Sequence, residues 1–253
     1  MRDARDPLQV CFEPGLDGAT HMRRDAALLA SYARGDAPVL RLYTWSPPAV
    51  SLGHMQTPES LLDLAACRAA GVDVVVRPTG GRAILHWEEV TYAIVAGTDD
   101  ARFGADLAAC HATIGRCLAA GLAGLGIQAS PSRPALDPQR ALLRQPCFVS
   151  PGRAELLVDG RKLLGSAQRR TATAFLQHGS LLVGPAHERL VELLADVRGN
   201  AAPGAALRQR LQRDTVTVRE LLGHTPAFAT LAAALVHGFT QVLDLVPRVA
   251  ARP

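Results

Sequence analysis

Of the 27 basic residues in this 253-residue chain, 26 are arginine and one, Lys162, is lysine. Arginine replaces lysine well on a solvated surface but poorly where a compact ammonium, or one that can lose its proton, is required. Lys162 is therefore a candidate for chemistry before any motif is considered, the plain alternative being a surface lysine that survived by chance. It sits in Asp159-Gly160-Arg161-Lys162-Leu163-Leu164-Gly165-Ser166-Ala167-Gln168. Asp-Gly there suits the centre of a type I′ hairpin turn. Strand alternation then puts Lys162, Leu164 and Ser166 on one face, beside the room left by Gly165, Ser166 and Ala167.

Two further segments have the residue types of a site. In Arg77-Pro78-Thr79-Gly80-Gly81-Arg82-Ala83-Ile84-Leu85-His86, paired glycines between two extended runs let the backbone approach a ligand and present its N–H groups, with Arg77 and Arg82 available for an anion. Gly-Gly between strands is also, more plainly, a turn. In Gln177-His178-Gly179-Ser180-Leu181-Leu182 a histidine and a glycine interrupt an apolar strand. Taken alone, His178 reads as a structural histidine before it reads as an acid or base.

The elements that must position these residues form a mixed α and β pattern. Asp17 to Arg34 has helical spacing with Asp17 as N-cap and Gly35 as stop. Val39 to Trp45 and Ala49 to Gly53 are extended, joined through Pro47-Pro48, and Pro58 to Ala70 reads as one helix. Val72 to Arg77, Ala83 to His86, Val90 to Ala96, Ala154 to Val158 and Phe175 to Val183 are strand candidates, and Ala105 to Leu125 is a long helix. Ser130 to Pro146 is a loop without apolar period. From Ala186 onward the chain reads as helical, including a buried helix from Thr225 to Leu243. The division expected is residues 1–184 as the main domain and 185–253 as a helical extension packed on it.

Composition narrows the classes. A net charge of +4 and a pI near 9.0 suit an acidic partner. Only 4% of residues are aromatic and no basic run appears, so nucleic-acid binding is disfavoured. Five cysteines (Cys11, Cys67, Cys110, Cys117 and Cys147) with no C-x-x-C pair argue for a reducing compartment and against disulfides or a structural zinc site. Met1 to Asp6 lacks a secretory pattern, and Thr225 to Leu243 is too polar for a membrane span. A cytoplasmic location is expected, with no membrane partner.

In order and spacing, Arg77 to His86 followed by Glu89-Val90-Thr91-Tyr92, then Gly160 to Gln168, then His178 to Leu182, resemble the catalytic domain shared by lipoate–protein ligases and the octanoyltransferases of lipoate biosynthesis. Met22 to Leu29, Trp45-Ser46-Pro47-Pro48-Ala49 and Ser51-Leu52-Gly53 agree with its opening helix and first strands. The chain departs from the pattern at Val76, where a second arginine is common, and at His21, where asparagine is frequent. The resemblance runs from about Thr20 to about Gly184. It implies an α+β fold of the biotin/lipoate protein ligase type: a mixed sheet with packed helices, a fatty-acyl tunnel and, here, a C-terminal helical segment. It also implies substrate-binding roles for Arg77, Thr79, Gly80, Gly81, Arg82, His86, Gly165, Ser166, Ala167, His178 and Gly179.

Within this resemblance the subtype turns on Cys147, in Pro146-Cys147-Phe148 at the end of the long loop, fifteen residues before Lys162. In the cysteine-dependent octanoyltransferases a loop cysteine at this place carries the acyl group as a thioester, and the hairpin lysine favours its thiolate. The implied activity is transfer of octanoyl from acyl carrier protein to a lysine of a lipoyl carrier domain, such as the glycine-cleavage H protein or a dehydrogenase E2 domain. Neither cofactor nor metal is required, because the donor thioester is already activated. Three alternatives stay open: an ATP-dependent lipoate–protein ligase, an octanoyl amidotransferase between carrier proteins, and a non-catalytic acyl-binding module.

Overall fold

The computed structural model describes residues 6–132, 155–197 and 201–250. Cys147 and most of the long loop lie outside the described residues.

The first half of the chain runs β1 (Pro7–Leu16), α1 (Gly18–Ser31), β2 (Val39–Trp45), β3 (Ala49–Leu52), two short helices α2 (Pro58–Leu61) and α3 (Leu64–Ala69), then β4 (Asp73–Val76), β5 (Ile84–His86), β6 (Glu89–Gly97) and α4 (Leu107–Ala123). The second half runs β7 (Ser130–Pro131), β8 (Glu155–Val158), β9 (Arg161–Arg170), β10 (Ala174–Leu182), α5 (Ala201–Asp214), α6 (Val218–Leu222), α7 (Phe228–Leu243) and β11 (Val246–Val249), with a 3-10 segment at Pro185–Leu193. Eight strands form one mixed sheet in the order β11-β1-β2-β6-β10-β9-β8-β7, and β4-β3-β5 form a smaller one. This is the mixed sheet with packed helices that the resemblance implies.

The large sheet is buried on both faces, and alternation along its central strands decides what each face carries. Leu40 and Leu42 of β2, Tyr92 and Ile94 of β6, and Phe175 and Leu181 of β10 join Ile114, Leu118, Leu235 and Phe239 of α4 and α7 in the main core. The intervening residues Tyr43, Ala93, Val95 and Leu176 turn the other way and pack on Leu29 and Tyr32 at the end of α1. The small sheet has its own core, where Val50, Leu52 and Leu85 meet Cys67 of α3 and Leu190, Leu193 and Leu194.

Several elements differ from their sequence reading for identifiable reasons. The expected helix from Pro58 to Ala70 is two helices, because the Asp63 carboxylate caps the second by accepting from the N–H groups of Ala65 and Ala66 while Leu62 bridges to Leu194. Residues after Gly184 are not wholly helical: Val246–Val249 pairs in parallel with β1. Lys162, Leu164 and Ser166 do not share a face. Leu157 pairs with Lys162 while its neighbour Leu156 pairs with Leu164, so β9 carries an extra residue, Leu163, at that point. Such a bulge resets the alternation. Leu163 and Leu164 therefore both enter the main core, and Lys162 turns to Glu155. Asp159 and Gly160, at φ of 51° and 77°, make the turn that Asp-Gly announces, and Asp17 caps α1 by accepting from Thr20 N at 2.8 Å. No described helix is long and apolar enough to cross a membrane.

Helices α4 and α7 approach so closely that a Cβ on Gly238 would stand 2.1 Å from the Cys117 carbonyl oxygen and 2.5 Å from Gly121 N. Backbone cannot yield as a side-chain end can, and forced separation of packed elements typically costs about 1–3 kcal/mol or more. Gly238→Ala is expected to lower the urea midpoint by at least this equivalent, whereas Gly223→Ala, with open space around it but a left-handed φ of 74°, should cost only about 1 kcal/mol.

Candidate active site

Strands β4 and β5 are joined by the Pro78-Thr79-Gly80-Gly81 turn, which Arg77 holds from beneath. Its guanidinium donates to the carbonyls of Gly80 (2.8 Å), Arg82 (2.8 Å) and Ser51 (2.8 Å), and to Ser51 Oγ (3.1 Å). These protein acceptors, rather than an anion, occupy its fork. On the other side of the turn a Cβ at Gly53 would meet the Gly81 carbonyl oxygen at 2.1 Å, so β3 and the turn touch through backbone alone. Gly81 itself, at φ 96°, adopts a conformation that side chains disfavour.

This turn closes over β9 and β10. Between them lies a narrow slot of about 40 Å³, lined among others by Met22, Trp45, Arg77, Gly81, His86, Gly165, Ser166, Ala167, His178 and Gly179. Of the eleven binding residues named from sequence, eight border it. The other three belong to its frame: Thr79 bonds His178, and Gly80 and Arg82 offer their carbonyls to Arg77. A second cavity of about 520 Å³ opens between α4 and β7–β8 and is bordered by Ala108, Ala112, Gly115, Glu155, Leu164 and Gln177.

The slot's polar wall is a chain of buried groups of which sequence reasoning named His178 and Thr79 and missed Asp25, Tyr43, Arg41 and Glu13. His178 Nδ1 lies 3.1 Å from Asp25 Oδ2, and its Nε2 lies 2.6 Å from Thr79 Oγ1. Burial alone would push the Asp25 carboxyl up. The hydrogen bond from His178 and the charge of Arg41 outweigh it and hold the carboxyl below its usual range. An ionised Asp25 accepts from His178 Nδ1, which orients the ring so that Nε2 meets the Thr79 hydroxyl. Tyr43 also donates to Asp25 (3.0 Å), and Arg41 bridges Asp25 to Glu13. At the opposite wall His86 stacks on Trp45 at 4.0 Å and shares a 2.7 Å bond with Ser51 Oγ, while Trp45 Nε1 donates to Thr91 Oγ1, which in turn donates to Glu89. Burial pushes the His86 pKa down, so it is a neutral wall.

Lys162 is buried and its ammonium is ion-paired with Glu155, which stands opposite Gly165 across the β8–β9 ladder. The pair sits beside the slot rather than in its lining. Cys147, the expected nucleophile, lies outside the described residues. The four described cysteines are all buried. Burial pushes each thiol up, Cys110 to about 11 and Cys117 to about 12, the wrong direction for a nucleophile. Among the described residues no group of three His, Cys, Asp or Glu side chains is arranged to hold a metal ion.

The lipoyl protein ligase A/B catalytic domain matches this chain over residues 17–240. The chain belongs to that family. It is 34% identical over 237 residues to the octanoyltransferase LipM of Geobacillus kaustophilus, a match covering 90% of this chain and 83% of that protein. To the octanoyltransferase LipM of Symbiobacterium thermophilum it is 38% identical, again over 90% and 83%. In fold it is similar to a bipartite lipoate protein ligase from Thermoplasma acidophilum, with a TM-score of 0.77 at 21% identity, covering 100% of this chain and 88% of the other.

His21, a departure from the family pattern, stacks on Tyr43 at 4.0 Å, donates from Nε2 to the Thr44 carbonyl and accepts from Arg41 at Nδ1. Burial, only partly opposed by the Thr44 carbonyl, draws its pKa down to about 4. In the unfolded chain histidine titrates near 6.5, so between about pH 6.5 and pH 4 unfolding takes up a proton that the native state refuses. Stability therefore falls as pH falls through that window, by up to about 1.4 kcal/mol per unit from this residue. His21→Asn should flatten the decline between pH 7 and pH 4.5 by about 2–3 kcal/mol in urea titrations.

Proposed function

We propose that this protein is an octanoyltransferase of lipoate biosynthesis, acting in the cytoplasm through a thioester on Cys147. The observation that carries the reading is the glycine-framed slot with the chain's only lysine buried beside it, in a chain whose relatives at 34–38% identity are octanoyltransferases. The donor is octanoyl-acyl carrier protein, whose acidity suits a chain of net charge +4. The acceptor is a lysine of a lipoyl carrier domain, the glycine-cleavage H protein or a dehydrogenase E2.

In this mechanism the acyl chain enters the slot against Trp45, His86 and His178, with Met22 as the flexible side chain that moves to admit it. The Cys147 thiolate, held by the positive charge of Lys162, attacks the donor carbonyl, and backbone N–H groups of the glycine-rich turn stabilise the oxyanion. Phosphopantetheine thiol departs and an acyl-enzyme remains. The acceptor amine then attacks that thioester and forms the amide. Both thioesters carry their own activation, so no nucleotide is consumed. Four buried thiols shifted toward protonation leave Cys147 as the residue to which this chemistry is assigned.

Mixing the protein with octanoyl-acyl carrier protein should add one octanoyl mass, labile to hydroxylamine and located on Cys147, and Cys147→Ala should acquire none. An adduct on Cys11, Cys67, Cys110 or Cys117 would overturn the assignment, and adenylate formation from lipoate and ATP that survives Cys147→Ala would favour a ligase. Lys162→Arg retains the charge on a longer planar fork, which does not fit the ammonium's place against Glu155. It is expected to lose at least about 100-fold in turnover while the fold persists, with iodoacetamide alkylation of Cys147 shifted to higher pH.

A further inference from the structure

Among the described residues, two polar side-chain atoms beside the slot are buried without a hydrogen-bond partner, and the sheet register puts them in one line. Glu155 lies opposite Gly165, Gly165 opposite Ser180, and Ser180 opposite Thr91. Residues directly opposite one another share a face, with strands about 4.8 Å apart. Gly165 has no side chain, which leaves a gap in the line between Glu155 and Ser180. On one side of it Glu155, 6% exposed, uses Oε1 for the Lys162 ammonium while Oε2 is buried without a hydrogen-bond partner. On the other, Ser180 Oγ is buried and equally unsatisfied. Glu155 borders the larger cavity, and Gly165 and Ser180 border the slot, so the Glu155–Gly165 rung stands between the two.

A buried carboxylate oxygen without a donor is costly to keep, and its chemistry names what it lacks. That is an N–H or O–H group. The acyl thioester brings only acceptors at its reacting end. The incoming lysine arrives as an ammonium with three donors, and it must shed a proton before its nitrogen can attack. The Lys162 amine already occupies Glu155 Oε1, which leaves Oε2 as the acceptor for that proton. We propose that Glu155 receives the acceptor ammonium at Oε2 and is the general base of amide formation, an assignment that rests on the thioester reading above.

Glu155 takes one proton from R–NH3+, and the amine nitrogen bonds to the thioester carbonyl carbon. Collapse of the tetrahedral adduct breaks the C–S bond. The second nitrogen proton passes to the departing Cys147 sulfur, and Glu155 releases its proton to solvent. Ammonium and thioester thus give amide, thiol and one proton. The transfer precedes C–N bond formation, because the nitrogen gains its lone pair only on losing the proton; the pre-equilibrium supplies neutral amine already held at the carbonyl, so a carboxylate weaker than lysine still accelerates the attack. The Lys162 charge meanwhile favours sulfur as the leaving group.

The full-length protein, octanoylated from octanoyl-acyl carrier protein and freed of donor, is mixed with a lipoyl domain or with hydroxylamine, an amine already neutral at pH 7, and discharge is followed by intact mass. Glu155→Gln keeps the volume and an oxygen for Lys162. It is expected to accumulate the acyl-enzyme, to discharge it to the lipoyl domain about 100-fold more slowly at pH 7, and to recover about tenfold per pH unit toward the lysine pKa of about 10.4. Hydroxylamine discharge should fall less than about fivefold. Slowing that is equal for the two amines, or that does not ease with rising pH, would overturn the proposal. If Glu155→Gln does not load, Glu155→Asp reports in its place: its carboxylate still faces Lys162 but ends one methylene short of the gap, and selective slowing of the lipoyl-domain reaction is again expected, equal slowing again overturning it. A wild-type protein that never acquires the thioester would instead overturn the reading on which the proposal rests, a result distinguishable because it appears before any acceptor is added.

Discussion

Arg41 is 1% exposed, and its guanidinium is shared by two carboxylates, Glu13 from β1 and Asp25 from α1. A lone guanidinium at that depth would be untenable; with both acids and His21 around it, every polar group in the cluster is answered. The cluster ties β1, β2 and α1 into one block. Through Asp25 it orients His178 on β10, and through His178 it reaches Thr79 in the glycine turn. The slot's shape thus depends on an ionic contact that touches none of the acyl chemistry. Loss of one partner of such a cluster commonly costs about 3–5 kcal/mol, because it strands the others in a dry interior.

The site is otherwise built by removal of side chains. Gly53 and Gly81 bring β3 and the turn into backbone contact, and a Cβ at Gly179 would meet the Gly165 carbonyl at 2.5 Å and Tyr92 at 2.7 Å. Glycine clusters of this kind constrain tightly: each allows an approach that alanine forbids, and each fixes the spacing of the elements it joins. The polar chain supplies direction and the glycines supply proximity.

Where sequence signals were local, they were legible. Asp159-Gly160 announced the hairpin, Asp17 announced the start of α1, and the ordered glycine, lysine and histidine segments located eight residues of the slot lining. What escaped was set by tertiary context. Arg41 stands in Val39-Leu40-Arg41-Leu42-Tyr43, where alternation reads it as facing solvent, yet this strand is buried on both faces. Asp63 falls inside the span that reads as one helix and is instead the cap of a second. The extra residue at Leu163, which turns Lys162 toward Glu155, leaves no mark in composition or period because it exists only relative to β8. Glu155 opens an apolar strand; a charge at such a point reads as an edge until the register shows what it faces.

The pairing of Val246–Val249 with β1 joins the first and last strands of the described residues. During synthesis β1 leaves the ribosome more than two hundred residues ahead of its outer neighbour, so through most of translation one edge of a largely apolar strand has no partner and is open to pairing with other chains. Long-range parallel pairings of this kind are slow to form. Until Val246–Val249 emerges and pairs, that margin of the nascent sheet stays open, a demand that the finished sheet no longer shows.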